Sequence, residues 1–464
     1  MGVVLRDYQQ DDLAKVRAAF MRVPRVCYQA PTGSGKTVLF SAVVDGAAAR
    51  GNRTWILGHR QEIVDQICEA LDVLGVSHGL IVSGQQETPF APVQVASVMT
   101  LVRRFERLVP PNLPVIDETH HAAANTWRTI IAALPQAKIF GVTATPQRLD
   151  GKGLNDIFDE LVVGPSIGSL VRQGYLSPVA SFAPQRKPDL SGLRTRAGDY
   201  EIEALAERMA KSVIITTAVD EYIRLCSGAP AIAFCVDVRH SQLVAAAFRA
   251  RGFRAAHVDG ATPKDERRGM IAALGSGEIQ VLCNCGIVSE GLDVPVVTAA
   301  ILLRPTQSIA LHLQQVGRVM RPAPGKARAL ILDHAGNVFR FGPPDVDRQW
   351  SLAGKVNEGS TPMQRCAACG ALVPLAAYVC PECETVLRER PNAAGNREHV
   401  ERRGSALVEI NRLAAMRYAQ ALRWAGSDKT RLRLVAQARG YKPGWVWHRL
   451  QEIGKGLING NNPA

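Results

Sequence analysis

The eight residues Ala30-Pro31-Thr32-Gly33-Ser34-Gly35-Lys36-Thr37 constrain this chain more than any other stretch. An apolar run, Val26 to Gln29, precedes them, and a run of small and apolar residues, Val38 to Ala49, follows. That order predicts a buried strand, a Gly-rich turn and a helix. In such a turn the backbone N–H groups from Gly33 through Ser34 and Gly35 to Thr37 converge at the positive end of the helix dipole, a cradle for a polyphosphate. Lys36 would reach the β- and γ-phosphates, and the Thr37 hydroxyl would coordinate Mg²⁺. The general pattern opens on Gly; here Ala30 holds that place.

A second group of motifs suits the same ligand. Val115-Ile116-Asp117-Glu118-Thr119-His120 puts adjacent carboxylates at a strand end. Phosphoryl transfer to water needs one group on the metal shell, here Asp117, and one to take the water's proton, here Glu118. Pro114 is expected at the first residue of its strand or on a sheet edge. The polar start of a helix reaching about Phe20 supplies Gln9 to read adenine, with Arg6 or Tyr8 to stack on it; an exposed helix start is the bland alternative. Further on, Gln314-Gln315-Val316-Gly317-Arg318-Val319-Met320-Arg321 sets two arginines three apart, on one face if helical.

At 464 residues the chain exceeds one core and should divide into two to four domains. Strand and helix patterns alternate twice, before and after a Pro-, Arg- and Gly-rich stretch from Ser177 to Asp199, which implies two parallel sheets. Trp55 to Gly58 leads into His59-Arg60, and Val93 to Ala96 leads into Ser97 and Thr100. Polar residues there lie at the carboxyl edge of a sheet, where α/β folds bind ligands. These four are candidates for the phosphates of a nucleic-acid strand, although a solvated loop would look the same.

Taken in order, the segments Ala30 to Thr37, Asp117 to His120, Thr143-Ala144-Thr145, Ser289 to Pro295 and Gln314 to Arg321 resemble the superfamily 2 helicases of the DExH type. The resemblance implies an α/β fold with two tandem RecA-like domains, residues 1–170 and 211–345, joined by a linker over 171–210. ATP would lie between them. It implies Gln9 at adenine, Lys36 and Thr37 at phosphate and Mg²⁺, and Asp117 and Glu118 at metal and water. Arg318 and Arg321 become arginine fingers, Gln314 an interface residue, Asp293 a ribose contact and His120 a coupling residue. Gln315 to Pro322, Ile331 to Asn337 and the C-terminal features resemble, within that superfamily, the RadD-type bacterial and phage repair helicases, which implies a role in DNA repair or recombination.

Cys366-x2-Cys369 and Cys380-x2-Cys383 form two knuckles with the spacing of a tetrahedral Zn²⁺ ribbon, over 360–388. Four thiolates leave no open position, so the metal would be structural. The other six cysteines lie in apolar segments and read as reduced core thiols. Residues 400–464 read as a basic helical region. From 386 to 464 there are fifteen Lys and Arg against six Asp and Glu, a surplus of nine within a net charge of +13. Such a surplus points to a polyanion. Lys442 and Trp445 are candidates for phosphate contact and base stacking, or for a small helical core. No apolar run approaches the ~20 residues of a membrane span and no signal-peptide layout opens the chain, so a cytoplasmic protein is expected. Its partner would be DNA, single-stranded or branched, together with other repair or replication proteins. An RNA substrate, or an ATP-controlled clamp that does not unwind, would use the same motifs.

Overall fold

The computed structural model describes residues 4–86, 88, 90–119, 125–148, 151–183, 188–196, 198–226, 228–286, 294–354, 357–358, 363–387, 418–425, 427–439, 441 and 445–454. His120, Ser289 to Asp293 and Lys442 lie outside the described residues.

The first lobe is built on strands β1 (Arg25–Gln29), β2 (Thr54–Gly58), β3 (Gly79–Ile81), β4 (Val93–Ser97), β5 (Leu113–Asp117), β6 (Ile139–Thr143) and β7 (Glu160–Val163). They form one parallel sheet in the order β3-β4-β2-β5-β6-β1-β7. β2 and β6 are buried along their whole length, and β1, β4 and β5 at every residue but one, as expected of a parallel sheet covered on both faces. One face packs Phe40, Val44 and Ile67 over Ile56 and Phe140, and the other packs Trp127 and Phe158 over Leu57 and Ile116. Pro114 is not on an edge: it is the second residue of β5, between β2 and β6. The chain tolerates it because pairing with β6 begins only at Val115↔Phe140.

The second lobe contains β8 (Val179–Phe182), a short hairpin β9 (Thr195–Arg196) and β10 (Asp199–Tyr200), then β11 (Ala231–Phe234), β12 (Ala255–Val258), β13 (Val281–Asn284), β14 (Ala299–Leu302) and β15 (Ala329–Asp333). Its parallel sheet runs β12-β13-β11-β14-β15-β8. β8 falls within the expected linker, yet it is the sheet's edge strand, in register Val179↔Ala329. Pro178 and Pro184 bracket it and give the segment the composition of a loop, which an edge strand accommodates.

The cysteine ribbon is continuous with this lobe. The backbone of Phe182 pairs with Ala371, Ala183 N–H donates to the Gly370 carbonyl at 3.1 Å, and Arg365 Nε donates to the Ala183 carbonyl at 2.7 Å. Cys366, Val373 and Cys380 share one buried cluster with Tyr222, Phe248 and Leu332 of the lobe.

Residues 389–464 form a separate compact unit. Its described helices are Tyr418–Ala425, Lys429–Ala438 and Trp445–Gly454, packed through Leu422, Leu432 and Val435.

Candidate active site

The phosphate-loop candidate follows β1 and opens the helix Lys36–Ala48. Gly33 and Gly35 have φ of 85° and 77°, left-handed values that explain the two glycines. A Cβ on Gly35 would also lie 2.7 Å from the Gln9 side-chain nitrogen. The Ser34 hydroxyl is buried and has no hydrogen-bond partner among the described residues; the same holds for Thr145. Two buried hydroxyls so placed are donors that a phosphate could take up. Lys36 Nζ donates to the Pro31 carbonyl at 3.2 Å.

Parallel pairing sets the carboxylates beside this loop. β5 and β1 flank β6, so Asp117 and Glu118 emerge two strands from the loop on the same sheet edge. Glu118 has φ of 50°, one of two described non-glycine residues in the left-handed region, and its N–H donates to Asp117 Oδ1 at 3.0 Å. Backbone held in that region costs ~1–3 kcal/mol and concentrates at functional sites.

Both lobes contribute charge. Burial lowers the pKa of Lys36, Glu118 and Asp117 pull it back up, and Arg318 and Arg321 push it down again. Lys36 therefore lies within electrostatic reach of carboxylates on its own lobe and arginines on the other. Arg318 caps the C-terminus of the buried helix Ile309–Gly317. Arg321 crosses the loop so closely that a Cβ on Gly33 would sit 3.5 Å from Arg321 Cγ. Gly317 is needed at the lobe contact, because a Cβ there would come within 2.5 Å of Thr32 Cβ. Gln314, buried on the same helix, is one turn from Arg318.

Gln9 is placed against the loop rather than at an exposed helix start. Its side-chain nitrogen donates to the Gly35 carbonyl at 3.1 Å, and its oxygen accepts from Arg6 N–H at 3.0 Å. Arg6 stacks on Tyr175, 4.5 Å from the ring centroid, and Tyr8 meets the same ring edge-on at 5.2 Å. The sequence gives no signal for Tyr175, which arrives from the connection between lobes.

His59 and Arg60 follow β2, and Ser97 ends β4. Because Gly58 pairs with Ser97, these residues and Thr100 share one stretch of the carboxyl edge. Arg60 also reaches the second lobe, donating to the Gly286 carbonyl at 3.4 Å, and Lys264 of that lobe pairs with Asp65. Trp445, in the separate C-terminal unit, is half-buried against Tyr441 with 4.9 Å between ring centroids, inside the small helical core.

The four knuckle cysteines converge with all sulfurs within 4.8 Å of one another. Cys366 and Cys383 are 3.7 Å apart, as are Cys369 and Cys380. Four ligands ~2.3 Å from a tetrahedral zinc would be about 3.8 Å from each other, so the set fits the ion. Each knuckle closes alike: Gly370 N–H bonds the Cys366 carbonyl and Glu384 N–H the Cys380 carbonyl, with φ of 84° and 57°. Hydrogen bonds from Thr385 pull the Cys383 thiol down to about 6, toward the thiolate a metal takes. No described helix is long and apolar enough to cross a membrane.

Residues 2–148 match the family described as type III restriction enzyme, res subunit, and residues 215–323 match the helicase conserved C-terminal domain. A 51.5 kDa protein of a Lactococcus phage is 34% identical over 361 residues, covering 76% of both chains. A Saccharomyces cerevisiae protein named as a candidate ATP-dependent helicase, IRC3, is 31% identical over 72% of this chain, and the match spans 52% of its own length. Among solved structures, a fragment of a candidate HsdR subunit of a type I restriction enzyme from Vibrio vulnificus superposes over 73% of this chain and 66% of its own. The TM-score is 0.57 at 22% identity, a likeness of fold.

Proposed function

The chain belongs to the superfamily 2 helicases of the DExH type, ATP-hydrolysing enzymes, and from that premise we propose that it is a DNA translocase or helicase serving repair or recombination. The observation that carries the reading is that Lys36 lies within electrostatic reach of Asp117 and Glu118 of one lobe and of Arg318 and Arg321 of the other, with Arg321 close against Gly33 of the loop. Lys36 and the loop N–H groups hold the phosphates. Glu118 accepts a proton from the attacking water. Arg318 and Arg321 meet the charge that develops on the transferred group, an effect worth ~10³ or more in rate. Mg²⁺, held by Thr37 and Asp117, would neutralise the phosphate oxygens. Gln9 and Arg6 read the base, Asp293 the ribose, and Gln314 links the finger helix to the cleft.

The strand would cross the carboxyl edge at His59, Arg60, Ser97 and Thr100. DNA as substrate is favoured by the likeness of residues 2–148 to a restriction-enzyme subunit and by the basic C-terminal region. Zn²⁺ is the metal for the four cysteines, and reduced core thiols suit a cytoplasmic protein.

Steady-state ATP hydrolysis with single-stranded, duplex and forked DNA and with single-stranded RNA tests the reading. Stimulation by DNA alone supports a DNA motor. Stimulation by RNA in its place moves the substrate, and a rate unmoved by either favours a clamp.

The ribbon gives a separate prediction. Cys380→Ser should release the metal, seen by metal analysis, while ATP hydrolysis persists. Because the ribbon shares the second lobe's core, Tm should also fall by roughly 4–8 °C, for a loss of about 2 kcal/mol. Unchanged metal content contradicts the site.

A further inference from the structure

The turn that follows the arginine fingers ends on a lysine whose role the sequence motifs leave unassigned. Ala323-Pro324-Gly325-Lys326 closes through a hydrogen bond from Lys326 N–H to the Ala323 carbonyl, 3.1 Å, with Gly325 at φ 77°. Proline second and a left-handed glycine third are the requirements of a type II turn. The turn sends the Lys326 side chain back under the finger segment.

There its ammonium donates to three backbone carbonyls: Val297 at 2.6 Å, Arg321 at 2.8 Å and Pro295 at 3.0 Å. An ammonium has three protons, and all three are used. Burial, with Arg321 beside it, lowers the Lys326 pKa to about 8, so the charged form still prevails at neutral pH. Two of the acceptors belong to the turn Val294 to Val297, closed by Val297 N–H on the Val294 carbonyl at 3.1 Å. That turn directly follows the segment Ser289 to Asp293. The third acceptor is the backbone of Arg321 itself. Ser177, just before β8, takes the same carbonyl from the other side through its hydroxyl at 3.3 Å, and its N–H bonds the Met320 carbonyl at 2.7 Å.

We propose that Lys326 is a positioning residue for ATP hydrolysis: it fixes the backbone of Arg321 to the Val294–Val297 turn, so that the finger is aimed across Gly33 into the cleft. The proposal rests on the reading of Arg321 as an arginine finger. A small displacement of such a group is enough to lower turnover by about 10–100-fold while the phosphate loop, on the other lobe, keeps its affinity.

The test uses the full-length chain, with and without single-stranded DNA. Lys326→Met keeps the length of the side chain and removes the donors. It is expected to lower kcat at least tenfold, leave the affinity for a fluorescent ATP analogue within about threefold, and cost little further in an Arg321→Ala background, since the two changes act through one group. Lys326→Arg, which keeps charge and donors but spreads them in a plane, should fall between wild type and Lys326→Met. A folded Lys326→Met with wild-type kcat overturns the proposal, as does an equal loss in the Arg321→Ala background. If Arg321→Ala itself turns over normally, the finger reading fails and the proposal with it. Should Lys326→Met fail to fold, Ser177→Ala loosens the same carbonyl: a several-fold kcat loss that vanishes beside Arg321→Ala supports the anchor, and an unchanged kcat overturns it.

Discussion

Lys36→Ala is expected to reduce ATP turnover by about 10³-fold, with DNA binding largely kept. The lysine stands at the head of the helix Lys36–Ala48, directly after the loop that would hold the phosphates. Burial alone would favour its neutral form, and Glu118 and Asp117 oppose that shift. Removing the ammonium therefore leaves two carboxylates facing a polyanion without their nearest compensating charge, which weakens both ground-state binding and the transition state. The nucleic-acid candidates His59 and Arg60, just past β2, and Ser97, at the end of β4, lie on the far side of β5 from the loop and should not notice the loss. The measurement is steady-state hydrolysis beside a DNA-binding titration. Wild-type hydrolysis in the variant would remove the phosphate-loop assignment altogether.

Glu118→Gln should separate chemistry from binding in the opposite sense. The amide keeps the shape of the side chain and can no longer accept the water's proton, so single-turnover hydrolysis should slow by roughly 10²–10⁴-fold, the usual worth of a positioned base. Affinity for ATP should hold or rise, because one negative charge has left the cleft. Loss of that charge also removes the first of the two influences that raise the Lys36 pKa. A variant that hydrolyses ATP normally would pass the base role to another group. A variant that loses ATP binding would make Glu118 a structural support for the left-handed turn instead.

Much of this site was legible in the chain because its backbone demands are local. Gly33 and Gly35 are glycines for conformational reasons, and Asp117 and Glu118 follow an apolar strand; Arg318 and Arg321, three apart in the chain, do not share a helix face, because the helix stops at Gly317 and Arg321 lies in the bend beyond it. Contacts between distant segments were less accessible. The alignment of His59 and Arg60 with Ser97 depends on β2 and β4 being neighbours, which is a matter of sheet order and not of spacing. Tyr175 reaches Arg6 from the connection between the lobes, and nothing in its surroundings announces it. The same connection hides β8 between two prolines. Lys326 is visible only as the end of a Pro-Gly turn until its three carbonyl acceptors, drawn from residues 295 to 321, are brought to it. The ribbon's four cysteines were plain from their spacing, whereas the sharing of Cys366 and Cys380 with the second lobe's core was not.

That sharing bears on how the molecule is assembled during synthesis. All seven strands of the first sheet lie before residue 164, so the ribosome has delivered that lobe's sheet early. β8 is made next, but its sheet neighbour β15 begins at Ala329 and the ribbon that covers its other edge begins at Met363. At translation rates of about 5–20 residues per second, the strand waits roughly 7–30 s for β15 and longer for the ribbon. An unpaired strand edge is a site for wrong association. Its four residues and flanking prolines make β8 a poor template in that interval, and the packing of the ribbon, whose last cysteine is Cys383, becomes the late event that seals the lobe.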